Sequence, residues 1–154
     1  MTMFLWLVMA FAFWQSAAPK PIETAHLTVT LSAGPSKAGK VPLHVDVIPR
    51  EKMHVYAPGQ PGYVAITLTL DSDAPATASG KPKYPAGEKL FMPALNETQL
   101  VYAKPFRITQ DVALRSGAGR APLTIKGSLR YQACDDRVCY RPTTLPVSWT
   151  VANP

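Results

Sequence analysis

Proline sets the first constraint on this chain. Sixteen of its 154 residues are proline, about twice the usual share, and they recur from Pro19 to Pro154. Each lacks an amide hydrogen and clashes with the preceding turn of a helix, so long helices have little room. Short strands and turns remain. The apolar residues agree with that. Leu27, Val29 and Leu31 alternate with polar neighbours, as do Val41, Leu43, Val45 and Val47, and again Val64, Ile66, Leu68 and Leu70. Further on come Phe106 and Ile108, then Val112 and Leu114. Leu123, Ile125, Gly127, Leu129, Tyr131 and Ala133 extend one face over eleven residues, and Leu145, Val147, Trp149 and Val151 close the chain. A period of two places each set on one face of a half-buried strand.

Turn signals separate these runs: Gly34 with Pro35, then residues 59–62, 71–74 and 116–119. Seven or eight short strands so spaced predict an all-β, immunoglobulin-like antiparallel β-sandwich. Trp149, on the last alternating run, is expected in its core. With 47% apolar and 17% charged residues, the chain is too hydrophobic and too weakly charged to be disordered. It is also long enough to bury a core without a metal or disulfide.

Residues 3–14 form an uninterrupted apolar run, MFLWLVMAFAFW. It is too short to cross a bilayer, which takes about 20 residues, but it suits the apolar part of a signal peptide. Ser16, Ala17 and Ala18 follow as small residues suited to cleavage. No basic residue precedes the run, and Pro19 would follow a cut after Ala18. The expectation is a signal segment over residues 1–18, one domain over 19–154, and export. No charged residue lies in 1–18, so the net charge of +6 belongs to the domain. The basic residues are scattered, without the aromatic interleaving of a nucleic-acid surface, so no nucleic-acid partner is expected.

Residues 72–99 break the alternation, with prolines at 75, 82, 85 and 93. They read as a long irregular segment, and such segments inside a compact domain are usually functional or mobile. Tyr84 and Phe91 are the aromatics it would expose.

The chemistry centres on Cys134 and Cys139, in YQACDDRVCYRP. Four intervening residues suit a hairpin loop, which brings cross-strand sulfurs within bonding distance. Export permits the bond. Closing so small a ring is worth only about 2 kcal/mol, against nearly 5 for a hundred-residue loop. A static clip and a reversible, accessible dithiol are both compatible with this spacing. Asp135 and Asp136 disfavour a nearby thiolate while Arg137 favours one, and no helix N-terminus lowers a thiol pKa. The disulfide is therefore expected to be attacked by a partner's thiolate.

The run YQACDDRVCYRPTTLPVSW resembles the cysteine motif of the N-terminal periplasmic domain of the thiol:disulfide interchange protein DsbD. MHVYAPGQPGYVAITLTL is similar to that family's H-x-Y segment and the strand after it. YPAGEK and VYAKPFRIT are similar to its YP-G and VY segments. The resemblance spans roughly residues 25–152. It implies an immunoglobulin-like domain whose cysteines cycle between dithiol and disulfide without a cofactor. Electrons would come from a separate membrane donor and pass to thioredoxin-like or Dsb-type periplasmic proteins. By position Cys134 and Cys139 would be the redox pair, with Cys139 forming the mixed disulfide. Tyr56 would line the site, together with Asp135, Asp136 and Tyr140 of the motif. The 72–99 segment would be a cap, with Phe91 as the covering aromatic. Arg141 departs from the first of two prolines found there in many relatives, and of the cap's acidic residues only Glu88 and Glu97 are near. The sequence ends at Pro154 without the transmembrane and thioredoxin-like domains of a full DsbD, so a relay is expected to use separate proteins.

Other constellations are weak. His26, His44 and His54 lack ligand spacing, and Met53 with Met92 is too sparse for copper, so no metal is expected. No hydrolase motif appears. The rival to a redox domain is a non-enzymatic β-sandwich binding module with a static disulfide.

Overall fold

The computed structural model describes residues 19–115 and 121–152. Residues 1–18, expected to be a signal segment, and the expected turn at 116–119 lie outside the described residues. Among the described residues twelve strands run in order: β1 (Ile22–Glu23), β2 (Leu27–Ala33), β3 (Lys40–Pro49), β4 (His54–Tyr56), β5 (Thr67–Leu70), β6 (Ala76–Ala78), β7 (Glu88–Met92), β8 (Glu97–Tyr102), β9 (Phe106–Leu114), β10 (Leu123–Tyr131), β11 (Ala133–Cys134) and β12 (Thr143–Val151). The described residues contain no helix. Every strand pairing is antiparallel.

The strands form three sheets, ordered β1-β2-β3-β9-β6, β12-β10-β5 and β11-β4-β8-β7. The first two supply most of the core of an immunoglobulin-like β-sandwich. Leu43, Val45 and Val47 of β3 meet Ile108 and Val112 of β9, Ile125 and Leu129 of β10, and Val147 and Trp149 of β12, all buried. The alternation in sequence is the alternation in burial along β3 and β10. Trp149 belongs to this core, and its indole N–H donates to the His44 carbonyl at 3.1 Å. Gly127 lies where β10 passes close to β5, and a Cβ there would collide with the Thr69 carbonyl oxygen.

Three expectations need correction. The eleven-residue run from Leu123 is divided: β10 ends at Tyr131, and after Gln132 the chain enters a different sheet as β11. Period-two burial continues through Ala133, so alternation alone could not reveal the change of sheet. The run from Val64 is strand only from Thr67, because residues 64–66 cross between sheets. The 72–99 segment is not one irregular loop. It holds β6 and the β7–β8 hairpin, whose turn places Asn96 at φ 50°. Its Tyr84 turns inward, accepting the Leu68 amide at 2.9 Å and packing against the core.

The four-stranded sheet carries the cysteines, and its two faces differ. Val55, Ala133 and Tyr102 point to the main core. Cross-strand partners share a face, and the register pairs His54 with Cys134, Tyr56 with Val101, and Leu90 with Gln99. Alternation within β4 and β8 puts Tyr56 with His54 and Gln99 with Val101. The face turned away from the main core thus bears a histidine, a tyrosine, a glutamine and a cysteine.

Candidate redox site

Cys134 and Cys139 are joined in a disulfide, with Cα atoms 4.1 Å apart. They close a tight hairpin: the Tyr140 amide donates to the Ala133 carbonyl at 2.9 Å and the Asp135 amide to the Val138 carbonyl at 3.0 Å. Asp135 shapes the turn. Its Oδ1 accepts the amides of Arg137 and Val138 at 2.8 and 2.7 Å, and its Oδ2 accepts the Tyr140 hydroxyl at 3.0 Å. The two amides first, then the Tyr140 hydroxyl, hold this carboxyl below the ordinary aspartate range. The local negative charge is thereby engaged within the loop. Gln132 ties the hairpin to the rest of the molecule, donating to the Tyr140 carbonyl at 3.2 Å and accepting the Val64 amide at 3.1 Å. His26 lies against Tyr140, with ring centres 4.5 Å apart and planes tilted by 40°.

The two cysteines are unequal. Cys134 is 1% exposed, whereas Cys139 stands in an exposed run from Asp136 to Cys139. Tyr56 touches both: its hydroxyl lies 3.1 Å from Cys134 Sγ and 3.3 Å from Cys139 Sγ. Having one hydrogen, it can donate to only one sulfur at a time. Burial, reinforced by Tyr63 and Glu97, pushes its pKa up to about 12. The phenol therefore stays protonated, a permanent donor facing the disulfide.

Tyr56 is itself held. Tyr63 stacks on it with centroids 4.2 Å apart, donates to Glu97 Oε2 at 3.1 Å and accepts from Gln99 Nε2 at 3.0 Å. The loop bringing Tyr63 back over Tyr56 turns through Gly59 at φ 98° and Gly62 at φ 78°, conformations that glycine adopts without strain. Leu90 and Tyr63 pack against the small buried cluster of Tyr56, Val101 and Cys134. The aromatic on the sulfurs is thus Tyr56. Phe91, expected as the cover, alternates to the other face of β7 from Leu90 and is 55% exposed. Its place near the site is at the rim of a cavity of about 490 Å³ whose other walls include His54, Leu90, Met92 and Asp136.

Sequence reasoning named Tyr56 and the motif residues but missed Tyr63, Gln99, Gln132 and His54. Gln99 and His54 left a faint signal, each a polar residue two places from an apolar or aromatic one on a buried face. Tyr63 and Gln132 lie inside the segments that carry the resemblance, but no periodic pattern singles them out, because both sit where the chain leaves regular structure.

The sequence profile described as "Thiol:disulfide interchange protein DsbD, N-terminal" matches residues 19–148. Among solved structures, the N-terminal periplasmic domain of ScsB from Proteus mirabilis superposes with a TM-score of 0.58 at 15% identity. That superposition covers 84% of this chain and 47% of the ScsB domain, so this chain spans about half of it. The GAE domain of GGA2p from Saccharomyces cerevisiae gives a TM-score of 0.48 at 9% identity, covering 89% and 100% of the two chains. No curated protein matches the sequence. With the profile spanning most of the chain and a cysteine pair bonded within it, this protein belongs to the DsbD N-terminal family of thiol:disulfide interchange domains.

Proposed function

We propose that residues 19–154 form an exported, periplasmic exchange domain, preceded by a signal segment over residues 1–18. It relays electrons from a membrane reductant to thioredoxin-like proteins through Cys134 and Cys139. The observation carrying this reading is the asymmetry of the disulfide under one shared donor: Cys139 exposed, Cys134 buried, and the Tyr56 hydroxyl within reach of both sulfurs. A static clip needs neither the asymmetry nor the donor.

The chemistry follows from that arrangement. A partner's thiolate attacks Cys139 Sγ, the exposed end. A mixed disulfide forms, the Cys134–Cys139 bond breaks, and Cys134 leaves as the thiolate. Leaving is faster when that thiolate is stabilised. A hydrogen bond to a charged sulfur is stronger than one to a neutral sulfur, so the Tyr56 phenol favours the open state as it forms. The partner's second thiolate then attacks its own sulfur of the mixed disulfide and releases Cys139 as a thiolate, and both cysteines take up the protons that the partner's thiols gave to solvent on ionising. Two electrons and two protons have passed to this domain, and handing them on reverses the steps. Asp135 and Tyr140 hold the loop that presents Cys139, and Asp136 stands at its exposed tip.

Trapping tests the reading. Cys134→Ser should accumulate a mixed disulfide with a thioredoxin-like protein through Cys139, and Cys139→Ser should abolish exchange. Exchange that proceeds unchanged in Cys139→Ser would contradict it.

A further inference from the structure

His54 is 3% exposed, and its Nε2 is one of only two buried side-chain polar atoms among the described residues that have no hydrogen-bond partner. Leaving such an atom unpaired ordinarily costs about 1–3 kcal/mol, so its retention calls for a reason. Its position supplies one. His54 pairs with Cys134 across the β4–β11 ladder, and directly opposed side chains on one face have Cβ atoms about 5 Å apart. Its ring stands edge-on to Tyr56, with centroids 5.9 Å apart and planes at 87°. The imidazole therefore shares its face with the buried cysteine and with the phenol that touches both sulfurs.

We infer that His54 accepts the proton of the Cys134 thiol when the reduced pair passes its electrons on. The inference deepens the exchange reading and rests on it. Exposed Cys139 attacks the partner's disulfide first and leaves a mixed disulfide. Cys134 must then close the ring, and at 1% exposure its sulfur has little access to solvent as a proton acceptor. In the proposed step the Cys134 S–H proton moves to His54. The Cys134 thiolate attacks Cys139 Sγ, the intramolecular S–S bond forms, and the bond from Cys139 to the partner breaks. The partner's sulfur departs with the electron pair as a thiolate, and the imidazolium returns its proton to that thiolate or to water. In the opposite direction His54 first takes the proton given up by the partner's attacking thiol, directly or through water, and passes it to the Cys134 thiolate as that thiolate leaves.

The surroundings suit a proton acceptor. Burial lowers the His54 pKa, so at neutral pH the ring is uncharged and able to accept. Asp136, and behind it Asp135, act in the opposite sense and stabilise the imidazolium once formed. The other titratable groups nearby are Lys52, just before its own strand, and Tyr56. The β7 and β8 side of the adjoining cavity contributes Leu90, Met92 and Ala103, none of which titrates.

The step can be timed without a protein partner. One equivalent of 5,5′-dithiobis(2-nitrobenzoate) added to the reduced domain releases a first thionitrobenzoate as Cys139 attacks and a second as Cys134 closes the ring. Failure of the relay reading would appear separately, as no exchange with any thioredoxin-like protein. His54→Phe keeps an aromatic edge on Tyr56 but cannot accept a proton, and His54→Gln serves if the Phe variant does not fold. The second phase in the variant should be at least about tenfold slower at pH 7. It should recover toward the wild-type rate above about pH 9, where a thiol ionises unaided. A second phase with the same rate and the same pH profile in variant and wild type would overturn the assignment.

Discussion

The two halves of the molecule bury different things. Where β3 and β9 meet β10 and β12, the interior is aliphatic and aromatic, and its polar edges are satisfied, as with the Trp149 indole on the His44 carbonyl. Behind the β11-β4-β8-β7 sheet the buried set is Tyr56, Val101 and Cys134, flanked by His54 and Gln99. Both unpartnered buried side-chain atoms among the described residues, His54 Nε2 and Gln99 Oε1, lie on this small sheet. Apolar burial stabilises by area alone, whereas buried polar atoms stabilise only when paired. The first region thus reads as a frame. The second gives up some stability to hold a phenol, an imidazole and a disulfide on one face.

That division can be broken from either side, beginning with the largest effect. Leu129→Ala in the frame should cost roughly 2–5 kcal/mol in urea unfolding and leave cysteine reactivity in the folded protein unchanged. A shifted reactivity would mean that the two regions are not separable. Reducing the disulfide should cost only about 2 kcal/mol, the value of so small a ring, and leave the domain folded. Collapse on reduction would make the bond a structural staple. Tyr56→Phe should raise the pKa of the thiol it serves by about one unit, or 1.36 kcal/mol, read from thiolate absorbance against pH, with little change in unfolding free energy. The smallest effect concerns the hairpin. The Asp135 pKa is held low in the folded protein, so its contribution to stability is present above the ordinary aspartate range and lost as pH falls through the folded value. Asp135→Asn should flatten that acid dependence, as seen in acid titrations of unfolding. An unaltered acid limb would remove Asp135 from the turn's stability.

The frame was legible because period-two alternation and frame burial are one fact seen twice: Val41, Leu43, Val45 and Val47 alternate in sequence and are buried along β3. The cysteine hairpin was legible because its signal is local, two thiols and a turn within six residues. Other features depend on contacts distant in sequence. Tyr56 meets Cys134 across 78 positions and Tyr63 meets Gln99 across 36, and no local pattern encodes either. The change of sheet at Gln132 was hidden because Tyr131 and Ala133 stay on the apolar beat while the hydrogen-bonding partner changes from β12 to β4. Phe91 is the aromatic that an irregular 72–99 segment would offer as a cover. In a regular hairpin the neighbouring position, Leu90, faces the cluster.

On the proposed reading the Cys134–Cys139 bond is exchanged rather than merely present. Its most direct test is the reduction potential of residues 19–154, equilibrated in glutathione or dithiothreitol buffers. An exchanged bond should give a value between about −180 and −270 mV, within the range of exchange proteins. A value well below about −300 mV, where structural disulfides lie, would contradict it.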